Sequence, residues 1–110
     1  MSELKFMVIY PTPTDIDAFE RRYQEEHVPM AVEKLAGKTK FIASRIVGSP
    51  QGAAPFYRIA EVFFPSMAAL EACALSAGGQ ETLAHAVDIS TGGAPIFLIA
   101  DSETFYFETP

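Results

Sequence analysis

The chain has 110 residues, of which 49% are hydrophobic and 20% charged, a balance that excludes an intrinsically disordered protein. Fourteen acidic against eight basic side chains give a net charge of −6, so the basic surface of a nucleic-acid-binding protein is missing. No apolar run approaches the roughly 18 residues of a membrane-spanning helix, no secretory signal is visible, and the single cysteine fits a reducing compartment. We therefore expect one cytoplasmic domain over residues 1–110 that binds neither nucleic acid nor a membrane.

The first part of the chain predicts a buried strand followed by an amphipathic helix. Residues 4–10 (LKFMVIY) are apolar at almost every position and are followed by prolines, a pattern typical of a strand buried on both faces. Thr14 or Asp15 can cap the helix that follows, and Pro29 predicts that this helix ends or kinks near Val28. One face of the helix carries residues spaced by three or four positions, namely Ile16, Phe19, Tyr23 and His27.

The remaining chain predicts three more strands, at residues 41–47, 56–64 and 96–100. Ser66 predicts the start of a second helix, which the pair Gly78-Gly79 interrupts, and a further helical piece spans residues 80–89. The apolar face of that piece is assigned to Leu83, Ala84 and Val87, and this assignment directs His85 to the surface.

The order strand, helix, strand, strand, helix, strand predicts an α+β fold of the ferredoxin-like βαββαβ type. Such a fold has a four-stranded antiparallel sheet with helices on one face. The first and fourth strands are apolar on both sides, although the uncovered face of such a sheet is normally polar. We therefore expect a second copy of the chain to cover that face, giving a homodimer to which the aromatic tail Phe105-Tyr106-Phe107 contributes.

Several segments of the chain resemble the EthD family of the dimeric α+β barrel superfamily. They are the strand ending in Tyr10-Pro11, the helix running from Phe19 into His27-Val28-Pro29-Met30, the segment from Tyr57 to Ser66, and the segment from Ser76 to Gln80. The resemblance covers residues 5–100 and implies a monomer whose sheet pairs with a partner's sheet to close a barrel. The family is named for a gene of ethyl tert-butyl ether degradation. Related members include dehydratases or cyclases of aromatic polyketides, and neighbouring families include cofactor-independent monooxygenases, so membership defines the fold better than the reaction.

His27 is the leading candidate for a catalytic residue. Its helical position turns the imidazole toward the space between helix and sheet, where an apolar pocket lowers its pKa and leaves a neutral base. The alternative is a structural histidine that ties the helix end to a backbone carbonyl or a carboxylate. Tyr23, one turn earlier, can donate a hydrogen bond to a substrate carbonyl, or can simply be part of the core.

Glu61 is the third candidate for the catalytic set, since it can orient His27 if its side of the strand faces the helices. The alternative for Glu61 is an ion pair across the dimer interface. Arg58 and Glu61 are three residues apart in a strand, so they are expected on opposite faces of the sheet. The candidate substrate contacts are the aromatic residues Tyr10, Phe19 and Tyr57.

Neither a metal nor a cofactor is expected. The two histidines are more than fifty residues apart, and the glycine pairs do not form a nucleotide-binding motif. The leading hypothesis is a cofactor-independent lyase or isomerase that dehydrates, cyclises or enolises a small apolar or aromatic carbonyl compound. The alternatives are a cofactor-free monooxygenase and a non-catalytic ligand-binding accessory protein.

Overall fold

Four antiparallel strands form one sheet in the order β2-β3-β1-β4, and the helices cover one of its faces. The computed structural model describes residues 2–109, except for the side chain of Ser2. In chain order the elements are β1 (Ser2–Pro11), α1 (Ile16–Arg22), a π-helical turn (Tyr23–His27), α2 (Val28–Lys34), β2 (Lys40–Arg45), β3 (Phe56–Phe64), α3 (Met67–Leu75), α4 (Ala77–Ile89) and β4 (Ile96–Glu103). The predicted ferredoxin-like α+β fold is confirmed.

The sheet has one buried face and one open face. On the helix side, Val8 and Tyr10 of β1 are buried, together with Ala60, Val62 and Phe64 of β3. Side chains alternate along each strand, so the intervening residues of β1 and β3 lie on the open face. The expectation that β1 is buried on both faces is wrong for the single chain, because the β1 side chains on the open face are only half-buried.

The first helical unit begins as predicted but contains an unpredicted π-helical turn. Asp15 caps α1 by accepting a hydrogen bond from the backbone N–H of Ala18 at 3.0 Å. The turn at Tyr23–His27 closes with the Val28 N–H bonded to the Tyr23 carbonyl, five residues earlier. Such a turn is wider than an α-helical one and relieves the clash that the Pro29 ring makes with a regular α-helix. The helix therefore continues through the predicted kink into α2. Its buried face starts at Phe19, because Ile16 is exposed.

The second helical unit breaks at Ser76 rather than at the glycine pair. Ser66 caps α3 as predicted, and its hydroxyl accepts from the Ala69 N–H at 3.1 Å. Ser76 is extended and caps α4 by accepting from the Gly79 N–H at 3.0 Å. Helix α4 therefore starts at Ala77, before the predicted residue 80. Glycine is needed at position 79, because a Cβ there would collide with the Cys73 carbonyl oxygen.

Strand bounds differ modestly from those predicted. β3 has the predicted limits, β1 and β4 extend further, and β2 ends at Arg45 rather than at residue 47.

None of the helices within residues 2–109 has the length and apolar character needed to cross a membrane. The cytoplasmic location remains a prediction.

Candidate active site

A cavity of about 40 Å³ lies between the sheet and the helices. Its volume holds more than one water molecule, which needs about 10–15 Å³, but is well below the roughly 150 Å³ of an engineered cavity that binds benzene. The Thr82 hydroxyl in the wall is engaged, since it donates to the Gly78 carbonyl at 2.7 Å. Of the described residues in the wall, His27 is the one with a basic side chain. The apolar part of the wall includes Phe6, Val8, Val62, Phe64, Leu70 and Ala86.

The His27 imidazole is 3% exposed and is held by hydrogen bonds at both ring nitrogens. Its Nε2 lies 3.2 Å from the Tyr10 Oη, and its Nδ1 lies 2.9 Å from Nδ1 of His85. Burial, and secondarily the nearby His85, lower the pKa of His27 to about 4. The imidazole is therefore neutral near pH 7 and able to accept a proton, but burial also makes it a weaker base than a free imidazole.

His85 lies against His27 and not on the surface, so its predicted position is wrong. Its side chain is 13% exposed, and its ring is nearly parallel to that of His27, with centroids 5.1 Å apart and planes 8° apart. Its Nε2 lies 3.2 Å from Oε1 of Glu26, a residue of the π-helical turn. The structure thus places a second histidine and a carboxylate behind the candidate base.

The error arose from assigning the wrong face of α4 to the core. The helix buries small residues together with Ile89, whereas Ala84 and Val87 are exposed and Leu83 is half-buried. Small side chains on the buried face of α4 let the helix approach its neighbours closely. His85 lies at the edge of this buried face, four residues before Ile89. Treating the small residues as the packed face would have found His85. Besides Ile89, the buried face contains Gly79, Thr82 and Ala86.

The three predicted substrate contacts form an aromatic cluster outside the cavity wall. The Phe19 ring contacts those of Tyr10 and Tyr57, with centroid distances of 5.4 Å and 5.9 Å. None of the three is among the described residues that line the cavity. Burial and the neighbouring Tyr23 raise the pKa of Tyr10 far above its usual value, so Tyr10 is a neutral hydroxyl donor beside His27.

Tyr23 is fully buried and stacks on His27, with ring centroids 5.7 Å apart. Its hydroxyl finds no hydrogen-bond partner among residues 2–109. Burial raises the pKa of Tyr23 to about 12, and the positive charge of Arg58 partly opposes that rise. An unpaired buried hydroxyl costs about 1–3 kcal/mol, and Tyr23 is not among the described residues that line the cavity.

Glu61 lies on the open face of the sheet, the opposite side from His27. It stands beside Met7 of β1 and forms an ion pair with Lys5 of the same chain. The condition for Glu61 to orient His27 is therefore not met, and its partner in the structure is intramolecular. Arg58 is on the other face, as the three-residue spacing predicts, where it forms an ion pair with Glu20.

We expect the free energy of unfolding to decrease as the pH falls from about 6.5 to 4. The folded-state pKa of His27, about 4, lies below its unfolded value of 6.5, so in this window the unfolded chain binds a proton that the folded chain does not. The loss amounts to about 3 kcal/mol. Denaturant unfolding at pH 7 and pH 4.5 measures it, and the His27→Gln variant should lose less. An equal loss in both proteins would contradict the burial of a neutral His27.

Comparison with known proteins identifies the family. The profile of the EthD domain matches residues 11–91. The chain belongs to the EthD family. It is 30% identical over 100 residues to the "uncharacterized 11.0 kDa protein in thcB-thcC intergenic region" of Rhodococcus erythropolis, with 88% of this chain and 92% of that protein covered.

Two solved structures support the same assignment of the fold. An EthD-family protein from Bacillus halodurans C-125 matches with a TM-score of 0.86 and 25% identity, over 92% of this chain and 99% of the other. A dimeric ferredoxin-like protein of unknown function from Jannaschia sp. CCS1 matches with a TM-score of 0.63 and 20% identity, over 92% of this chain and 99% of the other. The resemblance noted from the sequence is confirmed.

Within residues 2–109 of this EthD-family protein, no group of three or more His, Cys, Asp or Glu side chains is placed to hold a metal ion. The site brings together a neutral imidazole in the wall of an apolar cavity and, outside that wall, the Tyr10 hydroxyl in contact with the same imidazole. This combination is suited to binding an apolar compound and to transferring a proton.

Proposed function

We propose that this EthD-family protein binds a small, largely apolar carbonyl compound in the cavity beside His27 and moves a proton at the carbon next to the carbonyl. The observation that carries the proposal is a buried, neutral imidazole in the wall of an otherwise almost wholly apolar cavity. The cavity volume of about 40 Å³ favours a substrate of a few non-hydrogen atoms over an aromatic ring. The reaction class is enolisation, which also begins an isomerisation or the dehydration of a β-hydroxy ketone.

In the proposed step, Nε2 of His27 takes the proton from the α-carbon. The electron pair of the broken C–H bond forms the carbon–carbon double bond of the enolate, and the carbonyl π pair moves to oxygen. Return of the proton to another carbon completes an isomerisation. Departure of a β-hydroxyl as water, with that same proton, completes a dehydration. No further reactant is required.

The substrate has to take the place of Tyr10 at His27 Nε2. At 3.2 Å this contact is longer than the 2.9 Å contact with His85, and a phenolic O–H can rotate away. The freed Tyr10 hydroxyl then hydrogen-bonds the substrate oxygen, where negative charge develops. Tyr23, with its unpaired hydroxyl, is a second donor for that oxygen.

The experiment that tests the proposal is exchange of ketone α-hydrogens in D₂O, followed by proton NMR. Acetone and butanone serve as small probes, and acetophenone, which is larger than benzene, serves as the size control. We expect exchange above the buffer rate, fastest for the smaller ketones. Binding of these ketones without exchange would contradict the catalytic proposal and favour an accessory protein, whereas oxygen consumption with no exchange would favour a monooxygenase.

We also propose that the protein acts as a homodimer in which two open sheet faces pack together. Exposed apolar side chains are typical of a surface that another protein covers, and Leu98 on the open face is 48% exposed. The similar protein from Jannaschia sp. CCS1 is described as dimeric. The Lys5–Glu61 ion pair lies on the same face and neutralises its two charges there. The apolar members of this face include Met7, Ile9, Ile42, Ile59, Phe63, Ile96 and Leu98.

Introducing a charge at Leu98 is expected to convert the dimer into a monomer. A carboxylate buried between two apolar faces without a partner loses its hydration, which strongly opposes association. Light scattering after size-exclusion chromatography would compare Leu98→Glu with Leu75→Glu, a matched change at a residue 80% exposed on α3. We expect only Leu98→Glu to halve the mass. Dimers of unchanged stability in both variants would show that the open face is not the interface.

A further inference from the structure

A continuous series of hydrogen-bonding groups runs from the core to the surface through His27. Tyr10 contacts His27 at 3.2 Å, His27 contacts His85 at 2.9 Å, and His85 contacts Glu26 at 3.2 Å. Exposure increases along this series, from 0% for Tyr10 and 3% for His27 to 13% for the His85 side chain and 48% for that of Glu26. The series therefore links the buried base to solvent.

The carboxylate at the outer end defines the direction of every hydrogen bond in the series. An ionised carboxylate only accepts, so Nε2 of His85 carries the hydrogen and, in a neutral ring, its Nδ1 is the acceptor. His27 must then donate from Nδ1, which leaves the lone pair of its Nε2 to accept from the Tyr10 hydroxyl. Hydrogen bonds from His85 and Arg22 keep the pKa of Glu26 below its usual value, consistent with an ionised acceptor.

We propose that His85 is the proton-relay residue of the site and that Glu26 is its positioning residue. This inference rests on the proposed function. As His27 Nε2 takes the substrate proton, the hydrogen on His27 Nδ1 passes to Nδ1 of His85. His27 ends neutral, with its hydrogen on Nε2, and His85 becomes an imidazolium beside the Glu26 carboxylate. The reverse transfers return a hydrogen to the substrate, and this hydrogen is deuterium when the Nε2 hydrogen of His27 exchanges with D₂O before it returns, so protons and charge balance.

The relay removes a cost that His27 alone could not avoid. A positive charge on His27 would be enclosed by apolar groups, whereas one on His85 would be partly exposed and beside the Glu26 carboxylate. Arg22, bonded to both Glu26 and Asp88, faces the outer end of the series. Glu81, one helical turn before His85 on α4, forms an ion pair with Lys34 of α2. Glu26 is the carboxylate in direct contact with His85.

Histidine tautomers at pH 7 give a test that needs no substrate. Long-range ¹H–¹⁵N correlation spectra should show the hydrogen of His27 on Nδ1 and that of His85 on Nε2. In Glu26→Gln the amide can donate as well as accept, so we expect a mixture of tautomers at both rings. Glu25→Gln, which alters an exposed carboxylate on the same turn, should leave the spectra unchanged. Finding the wild-type His27 hydrogen on Nε2 would overturn the relay.

Chemical rescue tests the relay with the ketone exchange assay. We expect His85→Ala to slow exchange about 10-fold or more, and imidazole added to the buffer to restore part of the rate. Glu26→Gln should slow exchange, whereas Glu25→Gln should stay within about 2-fold of wild type. If His27→Gln abolishes exchange while folded His85→Ala and Glu26→Gln keep it, the relay is wrong and the proposed function stands. Absence of exchange in the wild-type protein would overturn the proposed function itself.

Discussion

Replacing His27 by glutamine is expected to slow the exchange of ketone α-hydrogens at least 100-fold, since general base catalysis contributes roughly 10²–10⁴. Glutamine is of similar size and can hydrogen-bond both Tyr10 and His85, but its amide does not accept a proton at neutral pH. The expected loss therefore reflects the missing base and not a collapsed cavity. Proton NMR in D₂O measures the exchange rate, and thermal unfolding verifies that the variant is folded.

Gln24→Ala is the matched control for this substitution, because Gln24 is exposed on the same π-helical turn. Its exchange rate should equal that of the wild type. A folded His27→Gln protein with the wild-type rate would show that the base is another group, or that the cavity is not where the reaction occurs.

Removing the carboxylate of Glu20 is expected to cause the largest loss of stability among single surface-helix substitutions. Arg58 is 6% exposed, and its guanidinium is held bidentately by Glu20, with one contact of 2.6 Å, and packs on the Tyr23 ring at 4.8 Å. In Glu20→Ala the buried guanidinium loses its counter-charge, which costs about 3–5 kcal/mol. The melting temperature should fall by on the order of 15 °C.

Two further variants separate the ion pair from a general effect on the helix. Glu25→Ala removes an exposed carboxylate nearby and should change the melting temperature little. The double variant Glu20→Leu/Arg58→Met replaces the pair with apolar groups and should recover much of the stability lost in Glu20→Ala. If Glu20→Ala melts like the wild type, the ion pair contributes nothing to stability.

The order of elements followed from local signals in the sequence. The limits of β3 and the cap Ser66 were predicted, and Asp15 was one of the two candidates for the first cap, because alternating apolar residues and side-chain caps act within a few positions of the chain. The π-helical turn and the break at Ser76 were not predicted. Both depend on how one helix fits over the sheet and over neighbouring backbone, as at Gly79, and such contacts leave no local periodicity.

The candidate site was only partly accessible to prediction. The position of His27 followed from its helical spacing after Phe19 and Tyr23, whereas its contact with His85 joins residues 58 positions apart. The spacing of Arg58 and Glu61 fixed their opposite faces but could not say which face carried the helices. Arg58 takes the buried side because Glu20 and the Tyr23 ring are there to compensate its charge.

A crystal structure of the protein soaked with acetone tests most directly whether the cavity beside His27 binds the substrate. We expect the ketone in the cavity between sheet and helices, with its α-carbon about 3–3.5 Å from His27 Nε2 and its oxygen within hydrogen-bond distance of the Tyr10 hydroxyl. The Tyr10–His27 hydrogen bond should be broken in that complex. An empty cavity with that hydrogen bond intact, or a ketone bound only on the open face of the sheet, would show that the proposed site is wrong.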